Sequence, residues 1–481
     1  MTTTSSHPVT VSAPGKMLLV GGYLVLERHI GWVVAADQRF YTTLTTNWTT
    51  GSTTTSTTTT SIRVASPQFH SEWNYEYDHQ NGTLQPSTEN PSINPFVEKT
   101  LRICFLYLWN PQESPSSRRP RQVEIVVRAD NAFYSVLPHL PRDVSTGSTI
   151  RTLAAVQALP PFCPCPVDAQ GRAIVRKTGL GSSAALTTSL VGALVNGLAK
   201  NTTTTDTTIH NLAQICHCHA QGKVGSGFDV SAACYGTHIY RRFPMCLLPD
   251  FLSQLEHYEQ DRVPPQNVRE TLQTLADDVW DETMVQPLTV PAGQLQVLLA
   301  DVQGGSESPG MAKQVLQWKQ QKMIGTSTIP HWDDLKRLNE RVVQLLQDIS
   351  TTSSIDYDAL SKLPAIQWPA TSPMRQLHDI FTEIRLHFRE MGQASNVPIE
   401  PPEQTKLCDA TSALPGVVTC LVPGAGGYDA VVCLYIDRLS VQDAIGQLWA
   451  SWESPQICPL GVQASQEGLR VEETKTNSCG V

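Results

Sequence analysis

Phosphate chemistry needs cationic or donor groups and a backbone that lets an anion come close. Four short stretches of this 481-residue chain offer both. The first is TGLGSSAA at residues 178–185. Gly179 and Gly181 let the backbone approach a phosphate, and a helix beginning after Ser182 would add partial positive charge there. Ser182 and Ser183 bring hydroxyls able to reach phosphate oxygen or magnesium. The second stretch, SAPGKMLLVGGYLVLE at 12–27, holds Lys16 just after a Pro-Gly pair, on a short, defined loop. The third, GKVGSGFDVSAACYG at 222–236, carries Asp229 in a segment loosened by Gly225 and Gly227. The fourth, VPGAGGYDAVVCL at 422–434, sets Gly424, Gly426 and Gly427 between two apolar runs. Taken singly, each has a plain structural reading: a capped glycine turn, a surface lysine, an N-capping aspartate, a hairpin.

Several other chemistries lack their motifs. Gly179, Gly181 and Ala184 satisfy a relaxed G-x-G-x-x-A pattern, yet no acidic residue ends a second strand about 20 positions later. There is no G-x-x-x-x-G-K-[ST], and no H-R-D or D-F-G set. Cys163 and Cys165 sit in a Pro-rich turn. Cys216, His217, Cys218 and His219 are adjacent on one helix, where neighbouring side chains diverge, so zinc is not expected at either place.

The elements that must hold these groups follow from apolar spacing. Residues 9–26 read as a hairpin, with a turn at Pro14-Gly15 and another at Gly21-Gly22. The stretch from Trp32 to Leu44 reads as a strand pair, and the Thr-rich residues 45–61 as an exposed tip or disordered insert. Residues 109–121 read as a second polar insertion. VEIVV at 123–127 and RAIVRK at 172–177 read as strands. Ala184, Leu186, Leu190, Val191, Leu194, Val195 and Leu198 recur at helical spacing, and a further helix is predicted over 206–221. Beyond a boundary placed between 243 and 244 come a strand at 294–302 and helices near 310–324, 332–349 and 374–391. A strand–glycine turn–strand unit at 417–436 and a last helix follow. The class is α+β or α/β in two domains, 1–243 and 244–481.

Composition narrows the partners. A net charge of −9 argues against broad nucleic-acid binding, though not against small anions met by a local cluster of cations. No run of 18 apolar residues occurs, so no membrane insertion is expected. The Thr-rich start lacks the basic-then-apolar pattern of a secretory leader, and a cytoplasmic location is the expectation. Twelve cysteines are too few for a disulfide scaffold at this length. No obligate protein partner is evident.

The four stretches, in their order along the chain (12–27, 178–185, 222–236, 422–434), resemble the GHMP kinases. KTGLGSSAA, AQGKVGSGFDVSAACYGTHIYRRF, VQGGSESPGM and DNAFYS are similar to the fungal-type phosphomevalonate kinases, and the likeness spans most of the chain. The resemblance implies an α+β fold in two domains. The N-terminal one would be like ribosomal protein S5 domain 2, the C-terminal one ferredoxin-like. It implies ATP and Mg2+ as cofactors and 5-phosphomevalonate as substrate. ATP would lie on Lys177, Thr178, Gly179, Leu180, Gly181, Ser182, Ser183, Ala184 and Ala185, with Ser183 at the metal. Lys16 and Asp229 match the family's catalytic lysine and aspartate. Mevalonate kinases have a magnesium-binding glutamate on the helix before the aspartate loop, but that helix here reads ICHCHAQGK, with no acidic residue. They also tend to have glutamate where this chain has Gly22, which weakens the mevalonate kinase alternative. Retention of both Lys16 and Asp229 speaks against a non-catalytic metabolite sensor.

A phosphate acceptor poses its own problem. Its second pKa is about 6, so it is already largely dianionic at neutral pH. The difficulty is bringing it to the γ-phosphate, against repulsion of several kcal/mol at intermediate dielectric. Lys16, Lys177 and Lys223 are therefore expected to converge on the site, with Ser306, Ser308, Gly426 and Gly427 toward the substrate.

Overall fold

The computed structural model describes residues 2–5, 7–50, 58–90, 93–110, 119–199, 205–260, 263–291, 293–302, 308–324, 329, 331–352 and 354–473. Strand β1 (Val9–Val20) pairs antiparallel with a 20-residue strand, β2 (Gly31–Thr50). Pro14-Gly15 is therefore not a turn. The register shifts between Pro14 and Lys16, so one strand carries an irregularity where a hairpin was expected. Such a break re-aims the side chain beside it. Here a Cβ on Gly15 would stand 3.1 Å from both the Leu180 carbonyl and the Phe133 ring, so the glycine admits the backbone of the glycine turn that holds Leu180. The strand pair expected over Trp32 to Leu44 is likewise one continuous strand.

Strand β3 (Thr59–Ser66) lies parallel to β5 (Pro120–Ala129) and antiparallel to β4 (Ser71–Asp78). The Thr-rich segment is thus strand over 45–50 and again over 59–61, while residues 51–57 and the core of the second polar insertion, 111–118, lie outside the described residues. The reason is β-branching: threonine suits a pleated surface once neighbours cover it. Thr46 and Thr60 are buried, and Thr60 donates to the Pro120 carbonyl at 2.6 Å. Helix α1 (Pro95–Leu108) is capped by the Asn94 side chain.

The expected strand at 172–177 is not one. It makes only single bridges, Val167 to Ala173 and Tyr134 to Lys177. Its apolar residues have another use: Ile174 and Val175 wall two separate cavities. Helix α2 (Ser182–Leu198) is buried almost all round, because it packs against β1 and β2 on one side and against α1 and α3 (Asp206–Gln221) on the other. Gly192 and Gly197 make this possible, since Cβ atoms there would come within 2.8 Å of Val11 and 2.7 Å of Leu44. A short helix, α4 (Phe228–Tyr235), follows the glycine loop.

The second sheet is antiparallel. Strand β6 (Leu295–Val302) lies between β8 (Ala430–Ile436) and a short strand at Ile457–Pro459, with β7 (Val417–Leu421) outside β8. Helices α5 (Ser308–Met323), α6 (Trp332–Thr351) and α7 (Pro373–Ser395) match the predicted amphipathic segments. The chain does not stay in this half. Val285–Pro287 and the late strands Ala464–Ser465 and Arg470–Glu472 all join the first sheet. The α+β class is as expected.

Candidate active site

The irregularity in β1 delivers Lys16 to the glycine turn before α2. Its amide donates to the Leu180 carbonyl at 2.9 Å, and its Nζ donates to the Gly179 carbonyl at 2.8 Å. The ammonium also stands 5.3 Å from the centre of the Phe228 ring. Burial holds its pKa below the ordinary lysine value, while the negative charges of Asp229 and Asp429 pull it back up. Partial removal of water strengthens the attraction between the charged form of Lys16 and an arriving anion.

Gly179 and Gly181 both have positive φ, 81° and 78°. Their surroundings differ. A Cβ on Gly179 would meet nothing within 4 Å, whereas one on Gly181 would lie 3.0 Å from Cε of Lys16. Gly181 is therefore bare because the lysine stem lies across it. Thr178 is fully buried and its hydroxyl donates inward to the Ala132 carbonyl at 2.5 Å. The side chains of Leu180, Ala184 and Ala185 are in the core, and the Ala185 amide donates to the Gly181 carbonyl. Ser182 pairs with the Tyr134 phenol, and Ser183 is half-buried at the start of the helix.

Two cavities flank this turn. One, of about 420 Å³, is lined by Lys16, Tyr23, Thr178, Gly179, Leu180, His217, Lys223, Asp229, Gly424, Ala425, Gly426 and Asp429. The other, of about 590 Å³, is lined by Phe69, Trp73, Asn94, Phe96, Tyr134, Lys177, Ser182 and Ser183. Lys177 and Lys223 thus face different cavities rather than one. The PGAGG turn closes the first cavity. Gly424 donates to the Leu18 carbonyl at 3.0 Å, and the Tyr23 hydroxyl donates to the Ala425 carbonyl. A Cβ on Gly426 would meet the Ile399 carbonyl at 2.1 Å, and Gly427 donates its amide to that same oxygen at 2.9 Å. Ser306 lies outside the described residues, and Ser308 begins α5, whose Ala312 and Leu316 reach the first cavity.

Asp229 stands in the first turn of α4, its Oδ1 accepting from the Val230 amide at 3.0 Å. Its Oδ2 is 3.9 Å from Nε2 of His217, a residue of the preceding helix α3. That same nitrogen lies 3.1 Å from Ser183 Oγ and 3.2 Å from Gln221 Nε2. The amide nitrogen can only donate, so the ring nitrogen accepts from it and from the serine. Burial keeps the imidazole pKa below its ordinary value, with Lys177 and Lys223 adding to the depression and Asp229 opposing it.

Sequence reasoning set His217 aside as one of four mismatched zinc candidates, and passed over Tyr23 and Asp429. A signal for His217 existed: it stands in the helix just before the aspartate loop. The donor set suits magnesium, which needs few protein oxygens when phosphates supply the rest. Ser183 Oγ and the Asp229 carboxylate flank His217, and no acidic residue of α3 joins them.

The family model described as GHMP kinases N terminal domain matches residues 152–237. The chain is 34% identical to a phosphomevalonate kinase of Gibberella zeae, covering 97% of each chain. It is also 34% identical to one of Candida albicans, covering 89% of each. A solved structure of Streptococcus pneumoniae phosphomevalonate kinase in complex with phosphomevalonate and AMPPNP shares the fold. Its TM-score is 0.54 at 14% identity, covering 96% of this chain and 99% of that one.

Proposed function

Because the chain belongs to the phosphomevalonate kinase family of the GHMP kinases, we infer that it transfers the γ-phosphoryl group of ATP to (R)-5-phosphomevalonate. The products are ADP and (R)-5-diphosphomevalonate, a step of the mevalonate route to isoprenoids and sterols. The observation that carries the reading is the pair of cavities flanking one glycine turn, with Lys16 and Asp229 on the acceptor side and Ser182 and Ser183 on the other.

ATP is assigned to the aromatic-lined cavity. Phe69, Trp73 and Phe96 offer apolar surface for a base, and the amides opening α2 face the phosphates. The acceptor takes the cavity of Lys16. Phosphoryl transfer through a loose transition state asks for position and charge neutralisation more than for covalent help. Lys16 supplies a cation where two phosphate groups meet, and the Gly179 carbonyl fixes its direction. Asp229 and Asp429 oppose the loss of charge that burial favours on that amine. Magnesium, held by Ser183 and Asp229 together with the ATP phosphates, would neutralise charge on the transferred group.

Release of ADP measured with mevalonate, phosphomevalonate and diphosphomevalonate in parallel tests the assignment. Turnover only with phosphomevalonate is expected. Turnover with mevalonate instead would make the alcohol kinase the correct reading.

A further inference from the structure

The N-terminus of α6 and the face of α7 packed against it bring together three side chains that the phosphoryl-transfer site does not use. His331 immediately precedes α6, and His387 and Glu390 lie one turn apart on α7. The Nδ1 atoms of the two histidines are 3.1 Å apart. Glu390 Oε2 lies 3.2 Å from His331 Nδ1 and 3.8 Å from His387 Nδ1. We propose that His331, His387 and Glu390 form a binding site for one late first-row divalent cation, Zn2+ by preference, that ties α6 to α7.

The spacing carries the argument. A tetrahedral zinc ion with nitrogen and oxygen ligands at about 2.0–2.2 Å sets its ligand atoms roughly 3.3–3.5 Å apart. The three separations here, 3.1, 3.2 and 3.8 Å, bracket that edge. Three such atoms leave a fourth position for water. The ligand chemistry fits as well, since two imidazoles and one carboxylate suit zinc far better than magnesium or calcium.

The surroundings place a carboxylate on the outer side of His387, where metal-bound histidines usually have one. Glu383 Oε1 lies 3.8 Å from His387 Nε2, the nitrogen facing away from the proposed ion, near it but beyond direct hydrogen-bond reach. Arg337 of α6 approaches that carboxylate at 3.6 Å. His387 is only 13% exposed, so its ring is already held.

The residues next in sequence connect this site to the acceptor cavity. Trp332, after His331, lies under the Lys319 ammonium at 4.0 Å, and Lys319 pairs with Glu27. Phe388, after His387, packs against Tyr23 with ring centres 6.4 Å apart, and Tyr23 lines the acceptor cavity. An ion here would fix two helices that buttress that wall.

The test is a Zn2+ titration of the full chain after chelator treatment, followed by calorimetry, with Co2+ as a spectroscopic substitute. One ion per chain is expected, with intense visible cobalt bands of tetrahedral coordination. His387→Ala and Glu390→Gln should each weaken binding at least tenfold and abolish those bands. Glu390→Gln keeps the side chain's shape at a half-exposed position, so it carries the test if His387→Ala fails to fold. Equal Zn2+ binding by wild type and Glu390→Gln, or cobalt spectra the variants leave unchanged, would overturn the proposal. The three side chains would then be only a hydrogen-bonded helix contact.

Discussion

Nε2 of His217 stands 3.1 Å from the hydroxyl of Ser183, and this contact joins the helix before the aspartate loop to the glycine turn at the start of α2. Accepting the serine proton leaves the lone pairs of Oγ free to face a phosphate-bound metal. The geometry picks out one ring nitrogen, so two conservative variants should behave differently. Glutamine places a polar atom near Nε2, whereas asparagine reaches only as far as Nδ1. His217→Ala should weaken ATP binding in the presence of Mg2+ by up to about tenfold, the worth of one hydrogen bond of roughly 0.5–1.5 kcal/mol. His217→Gln should recover most of the loss and His217→Asn little. Nucleotide titrations with and without Mg2+, beside thermal unfolding of each variant, make the comparison. Equal behaviour of Gln and Asn would remove the contact with Ser183 as the cause.

Gly181→Val tests how the turn holds Lys16. A branched side chain at φ 78° is strained, and its Cβ would press on the lysine stem at 3.0 Å. Steric exclusion of phosphate is the simpler expectation from the glycine pattern, but the neighbour in the structure is Lys16. Turnover should therefore fall more than tenfold while ATP affinity changes less than tenfold. Combining Gly181→Val with Lys16→Met should add little beyond Lys16→Met alone, because both act on one amine. Additive losses would show that the glycine serves the nucleotide independently.

Asp301 gives a pH-dependent prediction. It is 7% exposed, and burial pushes its carboxyl up to about 6, with a hydrogen bond from Ser135 at 2.6 Å opposing the rise and Asp429 adding to it. A folded-state pKa above the unfolded value of about 3.9 means that the folded chain binds more protons through that window. Stability contributed by this group is thus full below about pH 4 and lost as pH rises through about 6. The shift corresponds to an order of magnitude of about 3 kcal/mol. Asp301→Asn should be more stable than wild type near pH 7.5, and the two should converge near pH 4. Parallel stability curves in denaturant across that range would contradict the assignment.

The elements that carry the site were legible where apolar spacing and glycine act together. Helix α3 begins and ends where the sequence places it, and α2 follows its predicted apolar positions. Residues 14–16 and 172–177 were misread for a common reason. Local signals were blind to partners: Pro14-Gly15 meets the glycine turn of Leu180 from inside a strand, and Ile174 and Val175 cover cavities rather than a sheet. Threonine runs mislead the other way, since their polarity suggests solvent while their branching favours strands. His217 was hidden because its value lies in what stands opposite it, Ser183 34 residues earlier and Asp229 across a loop.

Asp229 separates two accounts of the transfer. A general base there would be needed for an alcohol acceptor, whose proton must leave. A phosphomonoester has mostly lost that proton near neutral pH, since its second pKa is about 6. The geometry suits the second account: Asp229 Oδ1 already accepts from the Val230 amide, and its charge helps keep Lys16 protonated. Asp229→Asn preserves shape and removes charge and basicity. General base catalysis is worth about 10²–10⁴-fold, so the loss in turnover near pH 8 should fall below that range. The acidic limb of the pH–rate profile should remain, set by the substrate's own second pKa. Asp229→Ala should be much worse, because it also removes the positioning contacts. Asn should lower turnover partly through Lys16, whose pKa drops further once the negative charge that raises it most is gone, so activity lost at high pH should return as pH falls toward neutrality. A full 10⁴-fold loss in Asp229→Asn with disappearance of the acidic limb would mean that Asp229 accepts a proton, and the dianion account would fail.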